Sequence, residues 1–351
     1  MKPRASRVRL ADVAEMAGVS TTTASRALNG RGELTDGTRA AVLEAAAQLG
    51  FRPSPFAQSL RTRRSRTIGL IVPHIAHPFY ASVFQGAQSY LRDIGYRLIL
   101  VDSGEDPGSV AEAINTLLDH WVDGILISTT PFTADRFREL LHGTPSVFID
   151  ETVDGVGAGS VTLENREGIG QLVRHLAGHG HRRIAFLSGP RDNTDGRERR
   201  EGFLATVAEL GLDDAPELIR TCEWSLRSGI EHTRELLRMQ SRPSAIVAAS
   251  AELALGALAA ARSHPLRLPE DLALASFDDT YFAALLEPAL TVISYDSPAM
   301  GARSAALLIE AIETEQASYA EVRVGVQLVP RRSCGCEFDA LRSLEADDQP
   351  G

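Results

Sequence analysis

Seven continuous apolar runs alternate with helical patterns through residues 67–279, and they constrain the fold of most of this 351-residue chain. The runs are TIGLIVP (67–73), YRLILVDS (96–103), VDGILIST (122–129), PSVFID (145–150), RRIAFLSG (182–189), SAIVAAS (244–250) and LALASFDD (272–279). Such runs between helices are typical of parallel strands buried on both faces. Seven strands are more than we expect in a single sheet, so we predict two similar doubly wound α/β lobes. Ligands of such folds bind at the carboxyl ends of the strands, which places a ligand cleft between the lobes.

The first 51 residues instead contain three short helical patterns, each with one apolar face. Ser20 and Thr35 are predicted to cap the second and third helices, and Gly50 is predicted to end the third. Helix, tight turn, short helix, loop and third helix indicate an all-α helix-turn-helix head, whose second helix enters the DNA major groove. A generic three-helix bundle is the alternative reading of this pattern.

Charge is divided unevenly along the chain, although the total is −10. Residues 1–66 contain 12 Lys/Arg and 5 Asp/Glu, a net of +7, and the remainder therefore carries −17. A basic head in front of an acidic body favours contact between the head and a polyanion. A solvated basic terminus would give the same numbers, so the motifs decide between the two.

Cysteine content and hydropathy favour a cytoplasmic protein. The three cysteines, Cys222, Cys334 and Cys336, have no disulfide-framework spacing, and no apolar run reaches membrane-spanning length or resembles a signal segment. The C-G-C pair lacks a third or fourth ligand nearby in sequence, so we expect reduced thiols and no metal site or cofactor.

The string ADVAEMAGVSTTTASRALNGRGELTDGTRAAVLEAAAQLGFRPSP resembles the DNA-binding head of the lactose/galactose repressor family of bacterial transcription regulators. The resemblance implies that Thr21, Thr22 and Arg26 read base edges. It further implies that a set of short polar side chains holds phosphates and fixes the register. These are Ser20, Thr23, Ser25, Asn29, Thr35 and Thr38.

Residues 52–66 follow as a hinge segment. Pro53 and Pro55 prevent the third helix from continuing, and an arginine cluster comes after them. In the free protein we expect a flexible basic linker. The resemblance implies that, on DNA, two such segments of a dimer fold in the minor groove, where Leu60 wedges between base steps with Ala57 close by.

The strings IGLIVPHIAHPFYASVFQGAQ, GHRRIAFLSGP, EWSLRSG and LPEDLALASFDD resemble the sensor core of the same family, which is itself similar to periplasmic sugar-binding proteins. The resemblance implies a head at 1–51, the hinge at 52–66, a core at 67–340 and a tail at 341–351. Within the core it places the N-lobe at about 67–166 and 297–326, and the C-lobe at about 167–296 and 327–340.

The same resemblance implies an effector site with an aromatic platform, carboxylates and one arginine, which suits a polyhydroxylated ligand. The candidate residues are Phe79, Tyr80, Asp102, Ser128, Asp150, Arg199, Trp224, Ser250 and Asp278.

The core departs from the family pattern at two places. Ser250-Ala251 replaces the usual Asn-Asp, and His77 stands where Asn often precedes Pro-Phe. We expect His77 to be a satisfied surface residue, and we expect Ser250 to cap the helix that follows it.

These features predict a homodimeric regulator, a repressor, that binds a pseudo-palindromic double-stranded operator under control of a small molecule, expected to be a carbohydrate. An activator or co-repressed regulator with a nucleoside or purine effector is the alternative. An enzyme is disfavoured because GVGAG (155–159) lacks GxGxxG spacing and leads into an extended segment. An exported transport protein is disfavoured because the chain carries a DNA-reading head and no signal segment.

Overall fold

The computed structural model describes residues 8–28, 34–51, 64–129, 131–314 and 319–337. The chain divides into two compact units, Met1–Arg66 and Thr67–Gly351. Asn29, Ala57 and Leu60, which the sequence assigns to DNA contact, lie outside the described residues.

The described part of the first unit contains three helices: α1 (Leu10–Met16), α2 (Thr21–Leu28) and α3 (Asp36–Leu49). As the sequence predicts, Ser20 Oγ accepts the Thr23 backbone N–H at 3.1 Å at the start of α2. Thr35 caps α3, and Gly50 ends it in the left-handed region, at φ +64°.

A small apolar core holds these helices together. Val13 and Val42 are fully buried at its centre, and the alanines Ala24 and Ala27 let α2 approach the other two helices closely. The faces predicted from spacing are therefore the faces that pack, which leaves the opposite face of α2 to solvent.

The second unit contains two six-stranded sheets in its described part. The strands, in chain order, are β1 (Thr67–Val72), β2 (Arg97–Asp102), β3 (Gly124–Ile127), β4 (Ser146–Ile149), β5 (Gly159–Leu163), β6 (Ile184–Ser188), β7 (Ile219–Thr221), β8 (Ala245–Ala248), β9 (Ala273–Phe277), β10 (Thr291–Ser294), β11 (Ala320–Val324) and β12 (Gln327–Val329).

The first sheet has the order β11-β5-β4-β3-β1-β2 and is parallel throughout. The second has the order β12-β10-β9-β8-β6-β7, with only β12 antiparallel to its neighbour. Each sheet forms one lobe together with its flanking helices. This arrangement confirms the predicted fold class, a helical head with a two-lobed α/β core.

Eight α-helices of the described core cover the sheets. They are α4 (Pro78–Asp93), α5 (Pro107–Asp119), α6 (Ala134–Leu141), α7 (Asn165–Gly178), α8 (Thr194–Glu209), α9 (Leu226–Leu237), α10 (Ala251–Arg262) and α11 (Ser297–Thr314). The described helices include none with the length and continuous apolar character required to cross a membrane.

The chain passes between the lobes at three places: from β5 into α7, from β10 into α11, and from β11 into β12. Consequently α11 and β11 complete the first lobe although they follow β6 to β10 of the second, and α11 packs on α4. At that contact Gly86 and Gly301 bring the two helices together, because a Cβ at Gly86 would lie 1.8 Å from the Pro298 carbonyl oxygen.

All seven predicted strands are present, and the structure adds five: β5, β7, β10, β11 and β12. Three of these, β7, β11 and β12, are sheet-edge strands with half-exposed residues. They lack the continuous apolar run that marks a strand buried on both faces.

Candidate functional site

The exposed face of α2 carries the predicted base-reading side chains. Thr21, Thr22 and Arg26 are exposed, Ser25 is half-buried, and Ala24 turns into the core. The residues of the head's apolar core, as described, do not cover this face. Its small hydroxyls and the arginine one turn later can therefore contact base edges in a DNA groove.

The helix starts of the head present hydroxyl pairs. Ser20 Oγ lies 2.9 Å from Thr23 Oγ1, and Thr35 Oγ1 lies 2.8 Å from Thr38 Oγ1. Both pairs stand beside backbone N–H groups at the positive ends of helices, where an anionic phosphate oxygen is favoured.

A cavity of about 350 Å³ lies where the carboxyl ends of the two sheets face each other. Seven of the nine predicted effector residues line it. They are Phe79, Tyr80, Asp150, Arg199, Trp224, Ser250 and Asp278. Both lobes contribute, since Tyr80 belongs to α4 and Arg199 to α8.

The other two candidates lie elsewhere. Ser128 lines an adjoining cavity of about 510 Å³ that shares Tyr80, Asp150 and Trp224 with the first, and its hydroxyl donates to the Ile149 carbonyl at 3.0 Å. Asp102 lines neither cavity. Its exposed carboxylate accepts the backbone N–H groups of Ile75 at 3.1 Å and Gly104 at 3.3 Å, which stabilises the loops after β1 and β2.

Arg199 is the buried cation among the seven predicted residues that line the first cavity, and only 3% of its surface is exposed. Its guanidinium donates to the Ala249 carbonyl at 2.7 Å and to Asn165 Oδ1 at 2.8 Å, and it pairs with Asp195 at 3.3 Å. Phe277 lies under it, 3.9 Å from ring centroid to Cζ. Burial alone would lower the pKa of Arg199, but the surrounding carboxylates raise it, so the side chain is a fixed positive charge in the cavity wall.

Asp278 directly follows β9 in a left-handed backbone conformation, at φ +74°. It accepts the Tyr295 hydroxyl at 2.6 Å and the Ala251 backbone N–H at 3.3 Å. Burial raises the pKa of Asp278, whereas Arg199 and the Tyr295 hydroxyl oppose the increase. The carboxylate is thereby held in one orientation at the cavity wall.

Asp150 directly follows β4 and is also held in the left-handed region, at φ +64°, which strains its backbone. Burial, followed by the charge of Asp195, raises its pKa well above the ordinary range. Within the described part of the chain its buried Oδ1 has no hydrogen-bond partner. A buried carboxyl oxygen without a partner on a cavity wall is a candidate acceptor or donor for a ligand hydroxyl.

Trp224 supplies an apolar wall. A Cβ at Gly189 would lie 2.1 Å from the indole ring, so the glycine after β6 makes room for it. On the opposite side Phe79 and Tyr80 meet edge-to-face, with centroids 5.1 Å apart.

His77 lies half-buried in this wall with a partner for each ring nitrogen, whereas a satisfied surface residue was expected. Its Nδ1 accepts the Phe79 backbone N–H at 3.3 Å, and its Nε2 lies 3.1 Å from Glu252 Oε1 on α10 of the other lobe. Burial opposes the charged form, yet Glu252 and Asp278 raise the pKa of His77 above its ordinary value. The pair is a bridge between the lobes.

The lining residues that the sequence did not assign to the site include Tyr295, Asp195, Glu252 and His77. Tyr295 follows β10, a short strand without a long apolar run. Asp195 stands four residues before Arg199 on α8, and this helical spacing was a usable signal. The position of Ser250 as cap of α10 was predicted, and its Oγ accepts the Leu253 backbone N–H at 3.4 Å.

Two known families match this chain. The bacterial regulatory proteins of the lacI family match residues 9–54, and the periplasmic binding protein-like domain matches residues 173–334. The HTH-type transcriptional repressor PurR of Actinobacillus pleuropneumoniae serotype 3 (strain JL03) is 30% identical over 326 residues, which is 92% of this chain and 97% of that protein.

The chain belongs to the LacI family. The ribose operon repressor of Haemophilus influenzae is a further relative, 31% identical over 88% of this chain and 93% of its own length. The crystal structure of the lac repressor dimer bound to operator and the anti-inducer ONPF superposes with a TM-score of 0.84 at 27% identity, covering 93% of this chain and 99% of that one. This LacI-family protein is therefore a DNA-binding transcription regulator.

Proposed function

We propose that this LacI-family protein is a homodimeric transcriptional repressor whose affinity for a pseudo-palindromic operator is set by a neutral, polyhydroxylated ligand, a carbohydrate. The observation that carries the proposal is the cavity in which Arg199, Asp278, Asp150 and Trp224 meet from both lobes.

The charges around the cavity support a neutral ligand. Five acidic side chains line it, against one arginine, Arg199, and two histidines, His74 and His77. An acidic surplus repels a phosphorylated or carboxylated compound. Vicinal hydroxyls suit the wall, because they can donate to Asp278 and Asp150 and accept from Arg199 while a C–H face stacks on Trp224.

A purine or nucleoside is the second candidate. It is favoured by the relative named as the repressor PurR and by the aromatic walls of Phe79 and Trp224, between which a flat ring can stack. The relative named as the ribose operon repressor favours the first candidate.

On the operator, we assign α2 to the major groove, with Thr21, Thr22 and Arg26 at base edges. The hydroxyls at the starts of α2 and α3 hold phosphates: Ser20, Thr23, Ser25, Thr35 and Thr38. Asn29 as a phosphate contact, and Ala57 and Leu60 in the minor groove, complete the proposal. The proposal also includes the domain bounds, which are a head at 1–51, a hinge at 52–66 and lobe boundaries near 166, 297 and 326.

Contacts that cross the cleft give the ligand a means to control the lobes. Besides His77–Glu252, the Glu151 carboxylate accepts the Thr194 backbone N–H at 3.0 Å, and Arg323 forms a bidentate pair with Glu198 at 2.6 and 2.9 Å. A ligand that bridges the lobes changes the balance of these contacts, and with it the spacing of the two heads. Such coupling is typically worth about 1–3 kcal/mol.

A thermal-shift panel tests the ligand class. The purified chain is heated with ribose, glucose, galactose, hypoxanthine, guanine or adenosine, and each compound that raises the melting temperature is then added to a complex of the protein with DNA selected from a random duplex pool. We expect a sugar to stabilise the protein and change its DNA affinity. Stabilisation by purines alone would replace the first candidate with the second. Failure to select any duplex sequence would overturn the regulator mechanism itself.

A further inference from the structure

Four side chains with metal-binding atoms converge on the second lobe, away from the ligand cavity. His175 lies in the last turn of α7 and His179 one turn later at its C-cap, and Cys334 and Cys336 lie beside them. Their ligand atoms all lie within 4.8 Å of one another. Within the described residues this is the one such group of His, Cys, Asp and Glu outside the cleft.

Three of the separations are close to the edge lengths of a tetrahedron. His175 Nε2 lies 3.1 Å from Cys334 Sγ and 3.7 Å from Cys336 Sγ, and His179 Nε2 lies 3.4 Å from Cys336 Sγ. Zn–S and Zn–N bonds of about 2.3 and 2.0–2.1 Å at tetrahedral angles place a sulfur and a nitrogen about 3.5 Å apart. A single ion at the centre therefore reaches all four atoms with small side-chain adjustments.

Local structure explains why the four atoms meet. An i, i+4 spacing puts both histidines on one face of α7, and their rings are 4.8 Å apart. Gly335, at φ +97°, takes a left-handed conformation that lets the thiols on either side of it turn to the same helix face. Cys334 is 2% exposed, and the Thr291 hydroxyl lies 3.0 Å from its sulfur, a donor suited to orient a metal-bound thiolate.

We propose that His175, His179, Cys334 and Cys336 bind one Zn²⁺ ion as a closed, structural Cys₂His₂ site. Two thiols and two imidazoles are the donor set that zinc prefers, and four protein ligands leave no position for a reacting water. Binding converts both thiols to thiolates and releases two protons to solvent, so affinity increases with pH.

The site ties the end of the core to α7, whose first residue, Asn165, holds Arg199 in the effector cavity. The expectation of no metal rested on the lack of a third and fourth ligand near the C-G-C pair. The histidines that could supply them lie about 160 residues earlier in the sequence and reach the pair only through the fold.

Metal content of the full-length protein tests the proposal. The protein is produced without a polyhistidine tag and dialysed against metal-free buffer. It is then titrated with Zn²⁺, and its bound zinc is measured by inductively coupled plasma mass spectrometry. We expect about one zinc per chain. The double variants Cys334→Ser/Cys336→Ser and His175→Gln/His179→Gln should lose about tenfold or more in zinc affinity. The matched controls Cys222→Ser and His181→Gln, whose side chains lie outside the cluster, should keep the full zinc content.

Cobalt substitution of the unmodified chain provides a readout that needs no variant. Co²⁺ in this site should give the intense visible bands of tetrahedral coordination together with thiolate-to-cobalt charge transfer, and Zn²⁺ should abolish both. Absence of zinc after titration, a six-coordinate cobalt spectrum, or equal zinc loss in Cys222→Ser and Cys334→Ser/Cys336→Ser would overturn the proposal.

Discussion

Two aspartates at the ends of parallel strands are held in strained backbone conformations, and this strain fixes where their carboxyl groups lie. Asp150 and Asp278 have positive φ angles, which cost about 1–3 kcal/mol each in residues other than glycine. The surrounding sheets impose that cost, and both carboxyl groups line the same cavity. Strain at this location is consistent with positions selected for ligand contact.

Asp278→Asn tests that role. The amide keeps an acceptor for Tyr295 but loses the charge that strengthens a ligand hydrogen bond, so we expect affinity for a stabilising sugar to fall by about 10- to 100-fold. Operator affinity without ligand should not change. Isothermal titration and a DNA-binding assay measure the two quantities.

Asp102→Asn is the matched control, because Asp102 was predicted for the same site and lies outside both cavities. Equal losses of ligand affinity in the two variants would contradict the assignment of Asp278.

At the scale of elements, the starts of α4 and α10 face each other across the cleft through His77 and Glu252. The folded state raises the pKa of His77 and lowers that of Glu252. The stabilisation from His77 is therefore complete below its unfolded pKa, about 6.5, and is lost as pH rises through the higher folded value. The stabilisation from Glu252 is present above about 4.5 and is lost as pH falls through its lowered value.

His77→Gln should therefore lower the melting temperature most between about pH 5 and 6.5, with a deficit that shrinks toward pH 8.5. Melting curves of the ligand-free protein across this range provide the measurement. His74→Gln is the matched control, since His74 is largely exposed and lies 4.0 Å from Glu105. A deficit that grows with pH would contradict the bridge.

The recognition helix α2 permits a test of base reading against phosphate contact. Arg26→Ala should cost about 1–3 kcal/mol on the selected operator and relax the preference at one base pair. Thr38→Val, at the start of α3, should weaken binding to all sequences by a similar factor. Competition binding against single-base operator variants distinguishes the patterns, and uniform loss in both proteins would remove Arg26 from base contact.

Sequence patterns predicted elements where local chemistry decides them. The caps Ser20 and Thr35 and the buried strands such as β1 and β9 have short-range signals, so their positions follow from the chain itself. Edge strands such as β12 do not, because their pairing depends on a neighbour distant in sequence. The same limit applies to the site: Trp224 and Asp278 were found through motifs, whereas the partners His77 and Glu252, like Cys334 and His175, are brought together only by tertiary structure.

At the scale of the whole molecule, charge separates the two compact units. The positive excess of residues 1–66 and the negative excess of the rest predict that only the first unit contacts phosphates. For about 6–10 phosphate contacts, operator affinity should fall by about 10³–10⁵ between about 50 and 200 mM salt. Ligand affinity of the same protein should change little, because Arg199 and Asp278 in the cavity wall are buried.

Fluorescence anisotropy on labelled duplex measures the salt dependence, and a fragment comprising residues 67–351 is the control. It should keep the ligand response and lose duplex binding. Duplex binding by the fragment, or a flat dependence of operator affinity on salt, would contradict the division of roles.

The order in which strands join the sheets has a consequence for synthesis on the ribosome. Residues 297–324 supply the last helix and an edge strand of the first lobe, and residues 327–329 supply the other lobe's closing edge. Neither lobe can therefore reach its final form before residues 297–329 have been synthesised. Until then the nascent chain would expose unpaired strand edges and apolar helix-facing surface, and it should depend on chaperones.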